Sequence, residues 1–497
     1  MNFTLLLPEI VIAATALLVV LGDLFLGRKG VLTLISLVGI AVSFEFAVTL
    51  TGQNQQTIWQ GMLAIDGLAV FMKLVLLGLT ALIILASTDY VKGMRGFHGE
   101  YHALVLLSAL GMMLLSSSTN LITLFVSLEL ASVPIYALTG FLKDQRGTES
   151  ALKYVLLSAI NSAVLLYGLA LIFGFTGTTS LSGVAQAVGI LSIDEALAQP
   201  GLIFGLALVL AGFGFKIAAV PFHMWTPDVY EGSPTPVSLL LSTVSKLAGF
   251  AVLLRILLSA FRLPFALSHG WGIILAVIAA LGMCVGNILA IPQGNIKRLL
   301  AYSGIAHSGY MLAAIAAIGV VFADMAGLTG RGDWDSIASS APHLLFYMLA
   351  FALAEVAVFT AVIVASRHIG DKIADYAGLG KRAPILAIAL TAGLISLTGI
   401  PPAVGFIAKF YVFSQVASSG LWWLVIVAVL NTVISAYYYL RVVRIMWQGE
   451  PAEKGPVASG VAPKAALFVA ALGVLVLGLF PIVGMKLAEF GASIFIP

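Results

Sequence analysis

Apolar runs of about 20 residues, separated by short polar loops, follow one another along almost the whole 497-residue chain. Each run is long enough to cross a hydrocarbon core about 30 Å thick as one α-helix. The pattern predicts an all-α polytopic membrane protein with about 14 transmembrane helices, built as a single transmembrane domain over residues 1–497. The predicted spans lie near residues 4–26, 31–51, 67–87, 102–117, 120–141, 150–175, 201–219, 235–260, 271–291, 296–321, 342–365, 384–417, 420–446 and 464–488.

Prolines interrupt two of the predicted spans. The seventh span runs into Pro221, and the twelfth, which is too long for one plain crossing, contains Pro401 and Pro402. Proline removes a backbone hydrogen bond, and in lipid this is tolerated only where protein or a water-filled cavity satisfies the freed groups. We therefore expect helices 7 and 12 to be broken helices.

The two predicted breaks lie one in each half of the chain, and each has a lysine beside it. Inverted repeats with discontinuous helices recur in transporters, whose ion sites lie near the middle of the membrane. The pattern therefore predicts two inverted five-helix repeats, over residues 102–260 and 271–446. An odd number of spans in each repeat gives the two units opposite orientations.

Lys and Arg lie mostly on one side of the predicted topology. With the first loop in the cytoplasm, 16 of the 25 lie in cytoplasmic loops or at adjoining span ends, and 3 lie on the opposite side. This bias predicts that both termini face outward, away from the cytoplasm; in a bacterial inner membrane that side is the periplasm. The 16 residues are Arg28, Lys29, Lys92, Arg95, Lys143, Arg146, Lys297, Arg298, Arg367, Lys372, Lys381, Arg382, Arg441, Arg444, Lys454 and Lys464, and the opposite three are Arg262, Arg331 and Lys486.

Composition narrows the possible chemistry. The chain is 61% hydrophobic and 9% charged, and its mean hydropathy is +1.09. Cys284 is the single cysteine, so the sequence contains no CxxC motif and no cysteine set for a disulfide framework or an iron–sulfur cluster. It contains neither a P-loop nor a dinucleotide-binding glycine motif. We expect no metal site and no cofactor-binding residue in this chain.

Charged residues interrupt several apolar spans, among them Glu129, Lys153, Lys216, Lys246 and Lys409. A charge at the centre of a bilayer costs from about 3 to more than 10 kcal/mol, depending on the reference state. Such residues face the protein interior or a wet cavity, where they pair or exchange protons. Their presence predicts a protein that moves ions or protons.

Lys216 and Lys409 are the lysines beside the two predicted breaks. Lys216 lies five residues before Pro221, and Lys409 lies seven residues after Pro402. A lysine close to a broken helix can reach both water and free carbonyl groups, and a buried lysine can release its proton near neutral pH. The competing interpretation is a lysine that extends its ammonium group to the membrane surface. Further apolar residues after Lys216 weaken that alternative.

Glu129 and Lys246 lie near the middle of their spans. Ser242 and Ser245 flank Lys246 and provide hydroxyl groups for a chain of water molecules. The alternative for Glu129 is a fixed structural ion pair rather than a role in proton transfer. We interpret both residues as candidates for proton transfer.

For three further residues the sequence leaves the choice between a proton-transfer role and a structural role open. Lys153 lies only about one turn inside its span, so extension to the surface competes with a proton-transfer role. His307 lies mid-span near serine and tyrosine residues, and either relays protons or is a packed hydrogen-bonding residue. Glu355 lies mid-span and either extends the polar line or neutralises a lysine. Glu9 and Asp66 lie closer to span ends, and we expect them at the membrane interface.

Several segments together resemble the antiporter-like membrane subunits of respiratory complex I. They are LEL with Glu129, ALKYVLLSA with Lys153, FKIAAVPFHMWTPDVYEGSPTPV with Lys216, NIKRLLAYSGIAHSGYML with His307 and LTGIPPAVGFIAKFYVF with Lys409. The resemblance covers nearly the whole chain. Among these families the chain is most similar to subunit N of bacterial NADH:quinone oxidoreductase, because of the stretch DVYEGSPTP and because Lys409 stands where subunit M has a glutamate. The resemblance assigns no role to Glu355.

The resemblance implies a proton-translocating subunit of an enzyme of the translocase class. Glu129 and Lys216 would form the charge pair of the first half-channel, Lys246 would link it to the second half, and Lys409 would connect to the opposite surface. Electron transfer from NADH to quinone elsewhere in the complex would drive the protons. NADH, FMN, iron–sulfur clusters and quinone would then be bound by partner subunits. The expected neighbours are subunits K and M and the lateral helix of subunit L, within a lipid bilayer and without nucleic acid.

Two other classes of protein remain open from the sequence. One is a subunit of a multisubunit cation/proton antiporter, which shares the fold and many of the motifs. The other is a non-transporting scaffold whose charges only hold helices together. Sodium dependence distinguishes the first, and lysine variants that assemble but lose pumping would exclude the second.

Overall fold

A computed structural model provides the structure of the chain. It describes residues 3–26, 30–53, 55–93, 96–191, 195, 198–263, 265–325, 334–451, 455 and 457–495. Of the cations used to orient the chain, Arg28, Lys29, Arg95, Arg331 and Lys454 lie outside the described residues.

The described residues fold almost entirely into helices, with one short antiparallel hairpin of β1 (Gln56–Ile58) and β2 (Leu63–Ile65). The helices of the first half are α1 (Leu7–Phe25), α2 (Gly30–Thr49), α3 (Gly67–Lys92), α4 (His98–Ser117), α5 (Leu121–Thr139), α6 (Gln145–Thr176), α7 (Leu181–Gly189), α8 (Pro200–Lys216), α9 (Trp225–Gly232), α10 (Thr235–Leu240) and α11 (Lys246–Ala260). Those of the second half are α12 (Phe265–Ala290), α13 (Ile296–Met325), α14 (Trp334–Ile369), α15 (Leu379–Arg382), α16 (Pro384–Thr398), α17 (Val404–Ser418), α18 (Trp422–Gln448), α19 (Val461–Leu479) and α20 (Pro481–Ala492).

The predicted spans correspond closely to these helices. Among the described residues, 12 helical segments are long and apolar enough to cross a membrane. The two predicted spans that are not among them are the broken ones, which appear as the shorter apolar helix α8 and the pair α16 and α17. The all-α polytopic fold with broken helices 7 and 12 is therefore confirmed.

The fourteenth span differs from its prediction. We expected one helix over 464–488, but α19 ends at Leu479 and α20 begins at Pro481. The ring of Pro481 disfavours helical backbone at the preceding residue, and Phe480 has φ −126° and ψ 66°. The predicted single helix was wrong because one proline inside an apolar run was not read as a stop.

The break in the seventh span leaves its free carbonyl groups bonded to protein side chains. Helix α8 ends at Lys216, and Ala218 has a positive φ of 58°. The Trp225 indole donates to the Phe215 carbonyl at 3.0 Å, and the Ser308 hydroxyl donates to the Ile217 carbonyl at 2.6 Å. The bundle interior therefore satisfies the groups that the interruption exposes, as lipid could not.

The break in the twelfth span is built around a glycine. Helix α16 ends at Thr398, and Gly399 follows with a left-handed φ of 86°, a conformation that glycine adopts without steric cost. The Ser396 hydroxyl accepts a hydrogen bond from the Gly405 amide at 3.1 Å at the start of α17. The break is therefore a fixed, bonded structure rather than a frayed helix end.

Two spans lie at the centre of the bundle. The apolar windows of the segments Thr235–Ala260 and Ile296–Phe322 are 100% buried, whereas that of Gln145–Thr176 is 28% buried. The central segments carry Lys246 and His307. Outer helices present large apolar side chains outward, as lipid requires, so the polar interior is shielded from lipid.

Two acidic residues expected at the interface are instead paired inside the bundle. Glu9 Oε1 lies 2.8 Å from Lys73 Nζ, and Asp66 accepts two hydrogen bonds from the Arg255 guanidinium at 2.7 and 2.8 Å. Burial alone would raise the pKa of Asp66, but Arg255 and the Ala69 amide outweigh it and hold that pKa below its usual value. Both residues lie at the start of a helix, near the span ends where they were predicted, but the sequence did not show that distant parts of the chain supply a partner for each.

Candidate functional site

The buried candidates from the sequence lie on five elements that meet inside the bundle. Glu129 is on α5, Lys216 ends α8, Lys246 begins α11, His307 is on α13 and Lys409 is on α17. Lys216, Lys246, His307 and Lys409 are each no more than 6% exposed, and Glu129 is partly buried. We call these five residues the buried line.

Serine hydroxyl groups bind the first two members of the buried line. The Lys216 ammonium group donates to the Ser132 hydroxyl at 2.9 Å, and Ser132 lies one turn after Glu129 on α5. The Glu129 carboxylate accepts a hydrogen bond from Ser162 at 2.5 Å. Among the described residues, Glu129 and Lys216 form no ion pair within 4.0 Å. The two residues of the expected charge pair are thus each bonded to a different serine hydroxyl, and the serine that binds Lys216 lies on the same helix as Glu129, one turn away.

Close packing at the seventh-span break brings Lys216 next to the central helix. A Cβ atom added to Gly249 of α11 would lie 2.8 Å from Ile217 and 3.4 Å from Lys216 Cγ. Lys216 is also the last residue of α8, where the partial negative charge of the helix end favours a cation. Gly249, one turn after Lys246, therefore leaves room for the Lys216 side chain against α11.

Backbone and hydroxyl groups connect this break to Lys246. The Ser308 hydroxyl has two possible acceptors, the Ile217 carbonyl at 2.6 Å and the Gly304 carbonyl at 3.0 Å. The Lys246 ammonium group donates to the same Gly304 carbonyl at 2.7 Å. A Cβ atom at Gly304 would lie 2.9 Å from that ammonium nitrogen. The lack of a side chain at Gly304 gives Lys246 its access to this carbonyl.

A π-helical turn precedes Lys246. Residues Leu241–Ser245 adopt the wider π geometry between α10 and α11. Such turns are rare and frequently occur at functional sites. The Lys246 ammonium group also lies 5.6 Å from the centroid of the Phe351 ring on α14. The predicted serine-flanked lysine is therefore placed at the contact between α11, α13 and α14.

His307 is bonded through both ring nitrogens. Its Nδ1 lies 2.8 Å from the Tyr347 hydroxyl and its Nε2 lies 3.5 Å from the Tyr439 hydroxyl. Tyr439 also makes a very short hydrogen bond with Ser303. A histidine between two hydroxyl groups can accept a proton at one nitrogen and release one from the other. The structure thus provides the groups that a relay at His307 needs.

A small cavity lies between His307 and Lys409. Its volume is about 10 Å³, roughly the space for one water molecule, and its lining includes both residues together with Tyr347 and Ser396. The Lys409 ammonium group donates to the Thr398 carbonyl at 2.9 Å, at the end of the first half of the broken span. The two residues therefore line the same small cavity, and the line extends to the twelfth-span break.

Lys153 lies away from the buried line. Its side chain is 45% exposed and pairs with Glu149 at 2.8 Å and with Asp228 at 3.2 Å. Arg298 adds a second cation 2.7 Å from Asp228 beside an open cavity of about 270 Å³. Burial would raise the pKa of Asp228, but hydrogen bonds from Arg298 and Lys153 lower it overall. Lys153 therefore belongs to a surface cluster of charges, and a proton-transfer role for it stays a prediction.

Two connecting serines and one acidic residue were not identified as part of the site from the sequence. Ser132 and Ser308 are ordinary serines within apolar spans, and their role as connections depends on which helix faces them. Glu355 is fully buried on α14, close to Lys246. Its mid-span charge was a signal, but the sequence did not show which group it meets.

The histidines do not form a metal site in the part of the chain that the structure describes. His98 and His102 are separated by three residues, a spacing that also occurs in metal sites. However, His102 Nδ1 bonds to the His98 carbonyl at 2.7 Å and its Nε2 bonds to Thr33 at 3.2 Å. No group of three or more His, Cys, Asp or Glu side chains suited to a metal occurs among the described residues.

Comparisons with known proteins identify the family of the chain. Residues 118–330 and 335–435 match the family described as "NADH:quinone oxidoreductase/Mrp antiporter, TM". The chain is 46% identical to NADH-quinone oxidoreductase subunit N of Dehalococcoides mccartyi, over 99% of both chains. It is 38% identical to the subunit N of Trichlorobacter lovleyi, over 98% of this chain and 96% of the relative.

Comparison with solved structures supports the same family and the same fold. A chain of respiratory complex I from Thermus thermophilus with bound aureothin superposes with a TM-score of 0.79 at 31% identity, covering 97% of this chain and 99% of that chain. A chain of the Mrp complex from Dietzia sp. has a TM-score of 0.83, covering 100% and 98%, but at 20% identity it shows the shared fold alone. This chain therefore belongs to the NADH:quinone oxidoreductase/Mrp antiporter membrane family and, within it, to the family of NADH-quinone oxidoreductase subunit N.

Proposed function

We propose that this chain is a proton-translocating membrane subunit of an NADH:quinone oxidoreductase. The observation that carries the proposal is the buried line, in which titratable side chains from Glu129 to Lys409 follow one another among hydroxyl and carbonyl groups inside a membrane bundle. Buried ionisable groups in membrane helices mark ion and proton pathways. Full-length similarity to subunit N relatives supports the same assignment.

The side chains of the line suit proton exchange over short distances. Glu129 and Lys216 would exchange a proton through Ser132, and Lys216 and Lys246 approach each other around Ser308 and Gly304. His307 would pass a proton to Lys409 through the small cavity between them. A charge added at one member would change the proton affinity of the next, because charges interact strongly in a water-poor interior. This coupling would let a disturbance at one end move protons along the line.

The proposed subunit works only as part of a larger assembly. NADH, FMN, iron–sulfur clusters and quinone would be bound by partner subunits, and subunits K and M and the lateral helix of subunit L would be its membrane neighbours. The chain would lie in a bacterial inner membrane as a multi-pass protein, with residues 102–260 and 271–446 as the two inverted repeats. Its contribution to the enzyme would be translocation rather than electron transfer.

Glu129→Gln is expected to slow proton pumping by about tenfold or more, because the amide cannot exchange a proton with Ser132 or Lys216. Gln keeps the size of the side chain and can still accept the hydrogen bond from Ser162, so the complex should assemble. Glu129→Asp keeps the carboxylate and should lose less activity. Pumping is measured in vesicles, and assembly on native gels. Wild-type pumping by the Gln variant would mean that Glu129 is structural.

A cysteine at position 372 is expected to be labelled from the cytoplasmic side only, since the positive-inside bias places the 367–383 loop there. Lys372 is exposed, so a reagent can reach it. The experiment uses a chain in which Cys284 is replaced. The matched control is Ser418→Cys. Ser418 is exposed and ends α17, at the end of the twelfth span opposite the 367–383 loop, so it should be labelled from outside. Labelling of position 372 in intact cells would reverse the proposed orientation.

A subunit of a multisubunit cation/proton antiporter is the second candidate. The high TM-score to a chain of an Mrp complex shows that this fold is shared. Sodium-dependent proton exchange in vesicles that hold the native complex would favour it. Proton uptake driven by quinone reduction and independent of sodium would favour the oxidoreductase subunit.

A further inference from the structure

Glu355 is a buried acid that the buried line does not yet explain. It lies near the middle of α14 and its side chain has no solvent exposure. Neither carboxyl oxygen accepts a hydrogen bond from any described residue. A buried carboxylate without hydrogen bonds is costly, so such a group in a stable bundle usually has a function or takes up a proton.

The surroundings of Glu355 contain one lysine of the line. Glu355 and Lys246 act electrostatically on each other. The geometry agrees, because Phe351 lies one helical turn before Glu355 on α14 and its ring is 5.6 Å from the Lys246 ammonium group. The Lys246 ammonium group donates to the Gly304 carbonyl and has further protons for a second acceptor.

The other groups that face Glu355 are hydroxyls. Ser242, in the π-helical turn before Lys246, faces the carboxyl group, although its hydroxyl donates to the Leu239 carbonyl at 3.0 Å. Tyr230 on α9 and Tyr439 on α18 are both close enough to Glu355 to interact with it electrostatically. The Tyr230 hydroxyl is also buried without a hydrogen-bond partner among the described residues. Among the described residues, Lys246 is thus the cation that acts on Glu355.

We propose that Glu355 is an additional proton-relay residue, which accepts a proton from Lys246 and returns it. The Lys246 ammonium group would lose a proton to become a neutral amine, and the Glu355 carboxylate would gain it to become a carboxylic acid. The reverse step restores the ion pair, so no charge leaves the pair in either direction. The exchange would hold Lys246 neutral while a proton moves between Lys216 and His307. This proposal deepens the proposed function and rests on it.

Helix α9 packs beside Glu355 and also carries part of the charged surface cluster. Tyr230 contacts the ring of Phe359, one turn after Glu355 on α14, at 6.4 Å between centroids. The same short helix carries Asp228, in the surface cluster with Lys153 and Arg298. Glu355 thus lies between the centre of the buried line and the element that bears the charged surface cluster.

Glu355→Gln tests the proposal in vesicles that contain the whole assembled complex. The amide has nearly the same shape but cannot take up a proton, so we expect pumping to slow by about tenfold or more with assembly unchanged. Thr360→Val is the matched control, because Thr360 is another buried polar side chain on α14 whose hydroxyl has no partner among the described residues. It should pump like the wild type. Lys216→Ala is measured in parallel.

A spectroscopic measurement separates relay from structural neutralisation. Infrared difference spectra of the wild-type complex, recorded between resting and turnover conditions, should contain a protonated-carboxyl band that Glu355→Gln removes and Thr360→Val keeps. If the Gln variant does not assemble, Glu355→Asp is used, which should pump partially and shift the same band. An unshifted band and wild-type pumping in that variant would overturn the proposal.

The outcomes distinguish the two levels of the hypothesis. Wild-type pumping by Glu355→Gln together with loss in Lys216→Ala would overturn the role of Glu355 and leave the proposed function standing. Wild-type pumping by both variants would overturn the proposed function itself. The relay would be established if Glu355→Gln loses both pumping and the carboxyl band while Thr360→Val keeps both.

Discussion

Lys216→Ala is expected to assemble fully and to lose most of its proton pumping, slowing it by about tenfold or more. The substitution removes the ammonium group that binds Ser132, one helical turn from Glu129, and that lies next to the central helix α11. Assembly should survive, because Ser132 keeps its hydrogen bond to the Leu128 carbonyl at 2.7 Å and Glu129 keeps its bond from Ser162. Native gels measure assembly, and pumping is measured in vesicles.

The control for Lys216→Ala is a buried lysine outside the line. The double variant Lys73→Met with Glu9→Gln removes an ion pair that is as deeply buried as Lys216 but lies between α1 and α3. Replacing both charges leaves no unpaired ion, so the complex should assemble and pump normally. Normal pumping by an assembled Lys216→Ala variant would contradict the relay and support a scaffold. Equal losses in both variants would point to a general effect of removing buried charge.

Lys409→Arg is expected to slow pumping by about tenfold or more although the positive charge is kept. Arginine stays protonated at any working pH, so it cannot release a proton toward the far end of the path. Lys409 donates to the Thr398 carbonyl, a bond that a guanidinium group can also make, and this favours correct folding. Its pumping rate per assembled complex in vesicles, compared with that of wild type, measures the effect.

Lys73→Arg is the matched control for Lys409→Arg. It makes the same change at a lysine whose role in the structure is to pair with Glu9, where a permanent charge suffices. It should pump normally. Comparable rates in Lys409→Arg and wild type would show that position 409 needs only charge. Failure of both variants would show that the bundle does not tolerate the larger guanidinium group.

Much of the architecture followed from local properties of the chain. Run length and hydropathy located the spans, because a bilayer imposes one length on every crossing. Pro221 and the pair Pro401 and Pro402 marked the two breaks, because proline cannot continue the backbone ladder. Pro481 has the same effect and separates α19 from α20, a break that the predicted fourteenth span did not include.

The pairing of charges was decided by tertiary structure. Asp66 meets Arg255, which is 189 residues away along the chain, and no local pattern identifies such a partner. Lys153 and Lys216 are both lysines within apolar segments. In the folded chain, Lys153 reaches a surface cluster of charges, whereas Lys216 binds Ser132. Whether a charge is exposed, paired or part of a pathway depends on the helix that packs against it.

The sequence by itself determined that this is a polytopic α-helical membrane protein, where its helices break and which spans carry charges. Only the tertiary structure decided that Lys216 binds Ser132 near Glu129, that Gly304 gives Lys246 a carbonyl acceptor and that Glu355 lies close to Lys246. The physical reason is that transfer into lipid acts on each segment separately, so it can be read along the chain. Proton exchange instead requires groups within hydrogen-bonding distance, and those distances exist only once helices from both halves of the chain have packed together.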